Sequence, residues 1–194
     1  MIVCIAEVSS HDQSLRRSGA VEPELEIGDV VAAGVVCLLD GGVPGPLQLL
    51  AAWPTTSTQA MIRALAGRSA HLFTGTAVTT QGSQSIQNRP AEMTHPILEM
   101  ETAGIAKEAA ERGLPLLSLR AISDGPSAPL PINLDEMMDQ DANLQTGKLL
   151  KAVIRNPGIL LQSRRMMRNT RIAADNAAVA LVAALNGLTS SPPM

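Results

Sequence analysis

The sequence predicts an α/β fold, and three observations carry that expectation. Residues 102–112, TAGIAKEAAER, place Ala103, Ala106, Ala109 and Ala110 on one stripe at helical spacing. Residues 114–122, LPLLSLRAI, then form a run that is apolar on both faces, as strands buried in a parallel sheet are. Gly113 separates the two and suits the left-handed turn that ends a helix, with Pro115 just beyond it. A helix, a glycine turn and such a strand make half of an α/β crossover unit.

The other elements follow in chain order. Residues 2–8, IVCIAEV, are a short β-branched run that reads as a buried strand. Residues 26–36, EIGDVVAAGVV, read as a turn at Gly28 and Asp29 feeding a second strand. DGGVPGP at 40–46 reads as a loop by its glycines and prolines. Residues 55–66, TTSTQAMIRALA, read as a helix whose threonines and serine offer N-cap oxygens. Ala60, Ile62, Leu65 and Ala66 can share its face, and Gly67 suits its end. Residues 71–79 are a strand candidate with Gly75 inside it, and 81–96 are polar and irregular, read as a mobile loop. Glu108 and Arg112 stand four apart on the helix and can pair. After the loop at 125–131, helices are expected at roughly 144–154, 158–167 and 169–185, punctuated at Asn156–Pro157 and Asn169–Thr170. The domain reading is 1–143 for the α/β unit, 144–186 for a C-terminal helical extension, and 187–194 for a disordered tail.

Composition limits the function classes. With 194 residues, 45% of them hydrophobic, one domain or one domain plus an appendage can bury a real core. One Trp, one Phe and no Tyr leave that core to Ala, Leu, Val, Ile and Met. The same scarcity argues against single-stranded nucleic-acid binding, which uses aromatic stacking platforms. A net charge of -3 gives no global polyanion-binding signal. Cys4 and Cys37 sit in apolar runs and read as buried, reduced thiols of a cytoplasmic protein, with a disulfide as the alternative. His11, His71 and His95 lack metal-ligand spacing, so no metal site is expected. IVCIAEV is too short and too acidic for a secretory leader, and no uninterrupted run of about 18 apolar residues predicts a membrane span.

The candidate chemistry lies in residues 98–124, LEMETAGIAKEAAERGLPLLSLRAISD. In an α/β sheet, ligands bind beyond the carboxyl ends of strands. Asp124 directly follows a strand, and Glu101 opens the helix that leads back into it. A helix of about 11 residues is about 16 Å long. Glu101 and Asp124 therefore converge only if a strand ahead of Glu101 also ends at the same crevice.

The pattern EMETAG…LRAISD resembles the purine and uridine phosphorylase superfamily, which includes methylthioadenosine/S-adenosylhomocysteine nucleosidases. The resemblance implies a three-layer α/β/α sheet with helices on both faces, and cleavage of a purine N-glycosidic bond by phosphorolysis or hydrolysis. It implies that Glu101 accepts hydrogen bonds from the ribose 2′- and 3′-hydroxyls and that Met100 packs against the sugar. It implies that Asp124 protonates the purine at N7, supported by Ser123. Such an acid must hold its proton near neutral pH, so burial is expected to raise its pKa. SGAVEPELEIGDVV resembles the segment that lines the phosphate site, with Ser18, Gly19 and neighbouring Arg16 or Arg17 as candidates. TGTAVTT, with Thr79 and Thr80, resembles the strand whose polar end faces the nucleoside. Glu7 is the candidate for the glutamate that activates water in nucleosidases. No metal or organic cofactor is implied; phosphate is a candidate co-substrate, the partner is a small purine nucleoside, and a homo-oligomer is expected.

Residues 149–185 resemble the hopanoid-biosynthesis-associated phosphorylase branch, which implies adenosylhopane as substrate and adenine as product. From Lys148 to Arg171 the chain carries seven basic residues and no acidic one. That run is compatible with a solvated basic face or with peripheral contact to an anionic inner-membrane face through 148–171. Only 17 residues precede Ser18, where the superfamily places several βα units, so an N-terminally shortened member is expected. The alternative function is a catalytically inactive nucleoside-binding or scaffolding remnant.

Overall fold

The computed structural model describes residues 3–11, 25–80, 86, 89–124 and 158–189. Their strands are β1 (Val3–His11), β2 (Val30–Asp40), β3 (Val43–Pro44), β4 (Gln48–Leu49), β5 (Leu72–Thr80), β6 (Pro96–Glu99) and β7 (Leu116–Asp124). The helices are α1 (Thr55–Ala66), α2 (Thr102–Glu111) and α3 (Gly158–Thr189). The strands form one mixed sheet in the order β3-β2-β5-β6-β1-β7, and β2 also pairs with β7, which curls the sheet closed. Helices cover both faces. Met61 and Leu65 of α1 and Ala173, Ala177, Ala180 and Ala184 of α3 pack on Val30, Ala32, Leu119 and Ala121. Ala106 and Ala109 of α2 pack with Ala33, Val36, Ala77 and Leu116. The predicted α/β class with helices on both faces is the observed one.

Several local expectations change in ways that packing explains. The glycine loop at 40–46 is a tight hairpin: Asp40 pairs with Val43, and Gly41 and Gly42 both adopt positive φ, which such two-residue turns require. The N-cap of α1 is Pro54, with no side-chain cap bond. Ser57 instead donates from its hydroxyl to the carbonyl of Ala184 at 2.8 Å, and Thr56 to that of Gly187 at 3.2 Å, so those hydroxyls join α1 to α3. The buried side chains of α1 are Ser57, Met61 and Leu65, while Ile62 faces outward. Gly75 is explained by crowding, since a Cβ there would meet the His95 carbonyl oxygen at 2.6 Å.

Two expectations of larger scale also change. The strand before α2 was not expected; it is β6, and it runs opposite to β7 with β1 between them, so α2 does not close a parallel crossover. The C-terminal segment is one helix through Asn169 and Thr170, not two, because Asn169 and Asn176 turn inward with the alanines. It continues to Thr189, so residues 187–189 are helical. Within Arg164–Thr189 an 18-residue window has a mean hydropathy of 1.4, and the stretch is long and apolar enough to cross a membrane by length and composition alone. In this structure its alanine face is spent on the core. The helix expected at 144–154 lies outside the described residues.

Asp29 and Gly28 form the junction that holds α3 to the sheet. Gly28, at φ 94°, donates from its N–H to the Ile122 carbonyl at 2.8 Å, and its own carbonyl accepts from Asn176 Nδ2 at 2.8 Å. Arg68 Nε donates to Asn176 Oδ1 at 2.7 Å. The buried Asp29 carboxylate accepts from the N–H groups of Glu26 and His71, each at 2.8 Å. The Gly-Asp-Val-Val segment therefore has a structural role that needs no ligand.

Candidate active site

Ser10 of β1 pairs with Leu98 of β6 on one side and with Asp124 of β7 on the other. The carboxyl ends of β6 and β7 are thus two strand spacings apart, about 10 Å. A strand ahead of Glu101 does exist, β6, and its Leu98 is level with Asp124, but β6 runs opposite to β7, so the chain leaves the two strands in opposite directions. Being only four residues long, β6 reaches Glu99 just below this level and hands the chain to α2 two residues later.

The polar centre of this region is Glu99, to which the sequence reading assigned no role. Its side chain is 3% exposed and that of Arg120 is 0% exposed, and Arg120 Nη2 donates to Glu99 Oε2 at 3.0 Å. The same Oε2 accepts from the backbone N–H groups of Glu101 and Thr102, each at 2.8 Å. The Thr79 hydroxyl donates to Oε1, and Thr79 Oγ1 in turn accepts from the N–H of Ala103 at 2.8 Å. Arg120 Nη2 also reaches the Thr102 hydroxyl. Helix α2 has no acid in its first turn and no capping bond from its own N-cap residue, Glu101. Glu99 supplies both, meeting the free N–H groups and the positive end of the helix dipole with one carboxylate.

The consequence is a division of labour between neighbouring acids. Glu99 is consumed in the interior, while Met100 and Glu101 are exposed at the start of α2. Ser123 is buried at the end of β7. Asp124 has its backbone in β7, and its side chain lies outside the described set. Glu7 is level with Arg120 in the β1–β7 register, and its side chain is likewise outside that set. Ser18, Gly19, Arg16 and Arg17 lie outside the described residues. Thr79 and Thr80 are buried at the end of β5, Thr79 as part of the Glu99 network. One signal for that network was present in the sequence: an arginine inside the apolar run LPLLSLRAI needs a buried carboxylate partner.

Burial pushes the Arg120 guanidinium down to about 10, still charged at neutral pH. Burial first, and then the Glu99 charge, push the Cys37 thiol up to about 11. Cys37 is a free, buried cysteine. No group of three or more His, Cys, Asp or Glu with metal-binding geometry occurs among the described residues. An open groove of about 550 Å³ between α1 and α3 is lined by Thr56, Gln59, Arg63, Ala183 and Asn186. It holds no carboxylate and lies on the opposite face from α2.

The family profile of the phosphorylase superfamily matches residues 18–155, well over half of the chain. The chain belongs to that superfamily. The superfamily match spans the whole network, from Thr79 through Glu99 to Arg120 and Asp124. Solved structures share the fold. One is a 5′-methylthioadenosine/S-adenosylhomocysteine nucleosidase from Colwellia psychrerythraea in complex with adenine, at 15% identity and TM-score 0.53, covering 96% of this chain and 67% of that one. Another is the 5′-methylthioadenosine nucleosidase of Arabidopsis thaliana, at 16% and 0.52, covering 98% and 63%. A third is the futalosine hydrolase of Helicobacter pylori, at 14% and 0.51, covering 95% and 67%. The chain spans about two thirds of the length of these proteins, and at such identities the likeness is one of fold. No curated protein matches the sequence.

Proposed function

We propose that this chain cleaves the N-glycosidic bond of a purine nucleoside. The observation that supports the reading is the pairing of Ser10 with both Leu98 and Asp124, which sets the end of β7 level with a residue two positions ahead of Met100. In the proposed reaction the C1′–N9 bond breaks with its electron pair leaving on the purine. Protonated Asp124 donates to N7 and neutralises that charge, a contribution of about 10² to 10⁴-fold. Glu101 accepts hydrogen bonds from the 2′- and 3′-hydroxyls and fixes the sugar, and exposed Met100 packs against its face. Ser123 supports the base side. Water or phosphate completes the reaction at C1′, with Ser18, Gly19 and Arg16 proposed for that pocket.

Within this class the proposed substrate is adenosylhopane, with adenine released. Support comes from the resemblance of residues 149–185 to the hopanoid-associated branch and from the start of α3 at Gly158, immediately after Asn156–Pro157. The test is adenine release by the purified chain from adenosylhopane and from methylthioadenosine, with and without phosphate. Dependence on phosphate marks a phosphorylase, and independence marks a hydrolase. Asp124→Asn is expected to abolish release; undiminished release by that variant overturns the reading. Binding of adenine without turnover by the parent chain points instead to the inactive nucleoside-binding alternative.

A further inference from the structure

We propose that the outward face of α3 docks the protein on an anionic lipid surface. On a helix, residues 164, 168, 171, 175, 178, 182 and 185 fall on one strip. The inward strip is Asn169, Ala173, Asn176, Ala180 and Ala184, all buried. The outward strip reads Arg164, Arg168, Arg171, Asp175, Ala178, Val182 and Leu185, and every one of these is exposed. It grades from basic at its start to apolar at its end. Arg165 flanks it and is also exposed.

The first part of this strip is bare. From 164 to 168 each residue is exposed, and none of them belongs to a core cluster among the described residues. Met167, 61% exposed, and Met166, 37% exposed, stand among the arginines. Val182 is 58% exposed further along the same strip. None of the ion pairs among the described residues engages these arginines. Arg164 and Arg168 are four apart and Arg168 and Arg171 three apart, spacings at which like charges destabilise a helix. An anionic partner removes that repulsion.

The charge of the whole chain gives the face a direction. Helix α3 has four arginines and one acid, Asp175, for a net +3. The chain carries -3, so the remainder carries -6. An anionic surface attracts the strip and repels the rest of the protein, which selects this face. The apolar side chains select the kind of surface. Methionine, valine and leucine interleaved with arginine gain by entering the headgroup and acyl boundary of a bilayer. Against a nucleic-acid backbone they gain nothing, and the chain lacks aromatic platforms for bases. The proposal does not depend on the reaction proposed above.

The test is co-sedimentation of the full chain with phosphatidylcholine vesicles, with and without phosphatidylglycerol. Binding is expected only with phosphatidylglycerol and is expected to weaken as salt rises. At about fivefold per arginine near a charged surface, the triple variant R164Q/R168Q/R171Q is expected to bind about 100-fold more weakly. Its circular dichroism is expected to match the parent, because the three side chains are exposed. M166Q/M167Q is expected to weaken binding without changing its salt dependence. Equal binding to both vesicle types, or full binding by the folded triple variant, overturns the proposal. So does binding to a DNA duplex with none to vesicles, or self-association that the triple variant abolishes while vesicles bind neither form.

Discussion

Arg120 Nη2 lies 3.0 Å from Glu99 Oε2, and both side chains are shut away from solvent. The pair joins β7 to the start of α2 across 21 residues of chain. Charges buried in this way are stable only while each satisfies the other, because the cost of taking one alone out of water is several kcal/mol. Glu99→Gln or Arg120→Met, each alone, is therefore expected to lower unfolding free energy by about 3–5 kcal/mol. The double variant Glu99→Gln/Arg120→Met is expected to lose clearly less than the sum, since no unpaired charge remains. Urea unfolding of the three proteins measures this, and simple additivity would show that the pair is not coupled.

Glu101, two residues on, is expected to behave in the opposite way. Its side chain is exposed and makes no capping bond. Glu101→Gln is expected to leave stability within about 0.5 kcal/mol. On the proposed function it weakens two charge-assisted hydrogen bonds, each about 1.5–3 kcal/mol, so kcat/KM for nucleoside cleavage is expected to fall at least about 10-fold. A fully active Glu101→Gln protein would remove Glu101 from the ribose site.

The Gly28 junction makes a separate stability prediction. At φ 94° a side chain is strained, and a Cβ would stand 2.9 Å from Asn176 Nδ2 and 3.0 Å from Ile172 Cγ2. Gly28→Ala is expected to cost at least about 1–2 kcal/mol from backbone strain alone. Asn176→Ala leaves the Gly28 carbonyl without its side-chain donor and is expected to cost about 1–3 kcal/mol. Because both act at one contact, their combined effect is expected to fall short of the sum. Thermal unfolding of the two single variants and the double variant tests this.

Cys37 sets a pH dependence. Its pKa is raised from 9.0 in an unfolded chain to about 11 in the fold, by burial and by the Glu99 charge. Below pH 9 both states hold the proton and this contribution is fully present. Between about pH 9 and 11 the unfolded state loses the proton first, so stability falls as pH rises. The loss attributable to Cys37 approaches about 2–3 kcal/mol. Cys37→Ala is expected to flatten this part of the pH profile, whatever it does to the baseline. An unchanged slope in that variant would show that Cys37 does not carry the effect.

Much of the local structure was legible in the sequence. Helix α1 spans the predicted residues 55–66, and α2 begins at the predicted Thr102. Gly113 adopts the left-handed φ of 64° that its place after a helix called for. Glu108 and Arg112 pair at 2.6 Å, as their spacing allows. These features depend on turn chemistry and on periodicity within a few residues, and the chain carries both locally. The sheet was less legible. Four residues, Pro96–Glu99, are too short to display a period, so no strand is legible there: Pro96 reads with the loop before it, and 97–99 read as no element.

The candidate site divides along the same line. The sequence by itself determined the superfamily, through the 27-residue pattern from Leu98 to Asp124, and with it the acids worth testing. Only the tertiary structure decided which acid is buried. Glu99 and Glu101 sit two apart at the end of a strand, and nothing local distinguishes them. What separates them is Arg120, Thr79 and a helix N-terminus, brought to Glu99 by strand pairings whose partners lie about 20 residues away. Strand direction was decided there too, because β6 and β7 both pair with β1 in opposite senses while β2 closes the sheet on β7. A local pattern records which residues share a face. Which carboxylate leaves water is decided by the charges and donors that folding gathers round it.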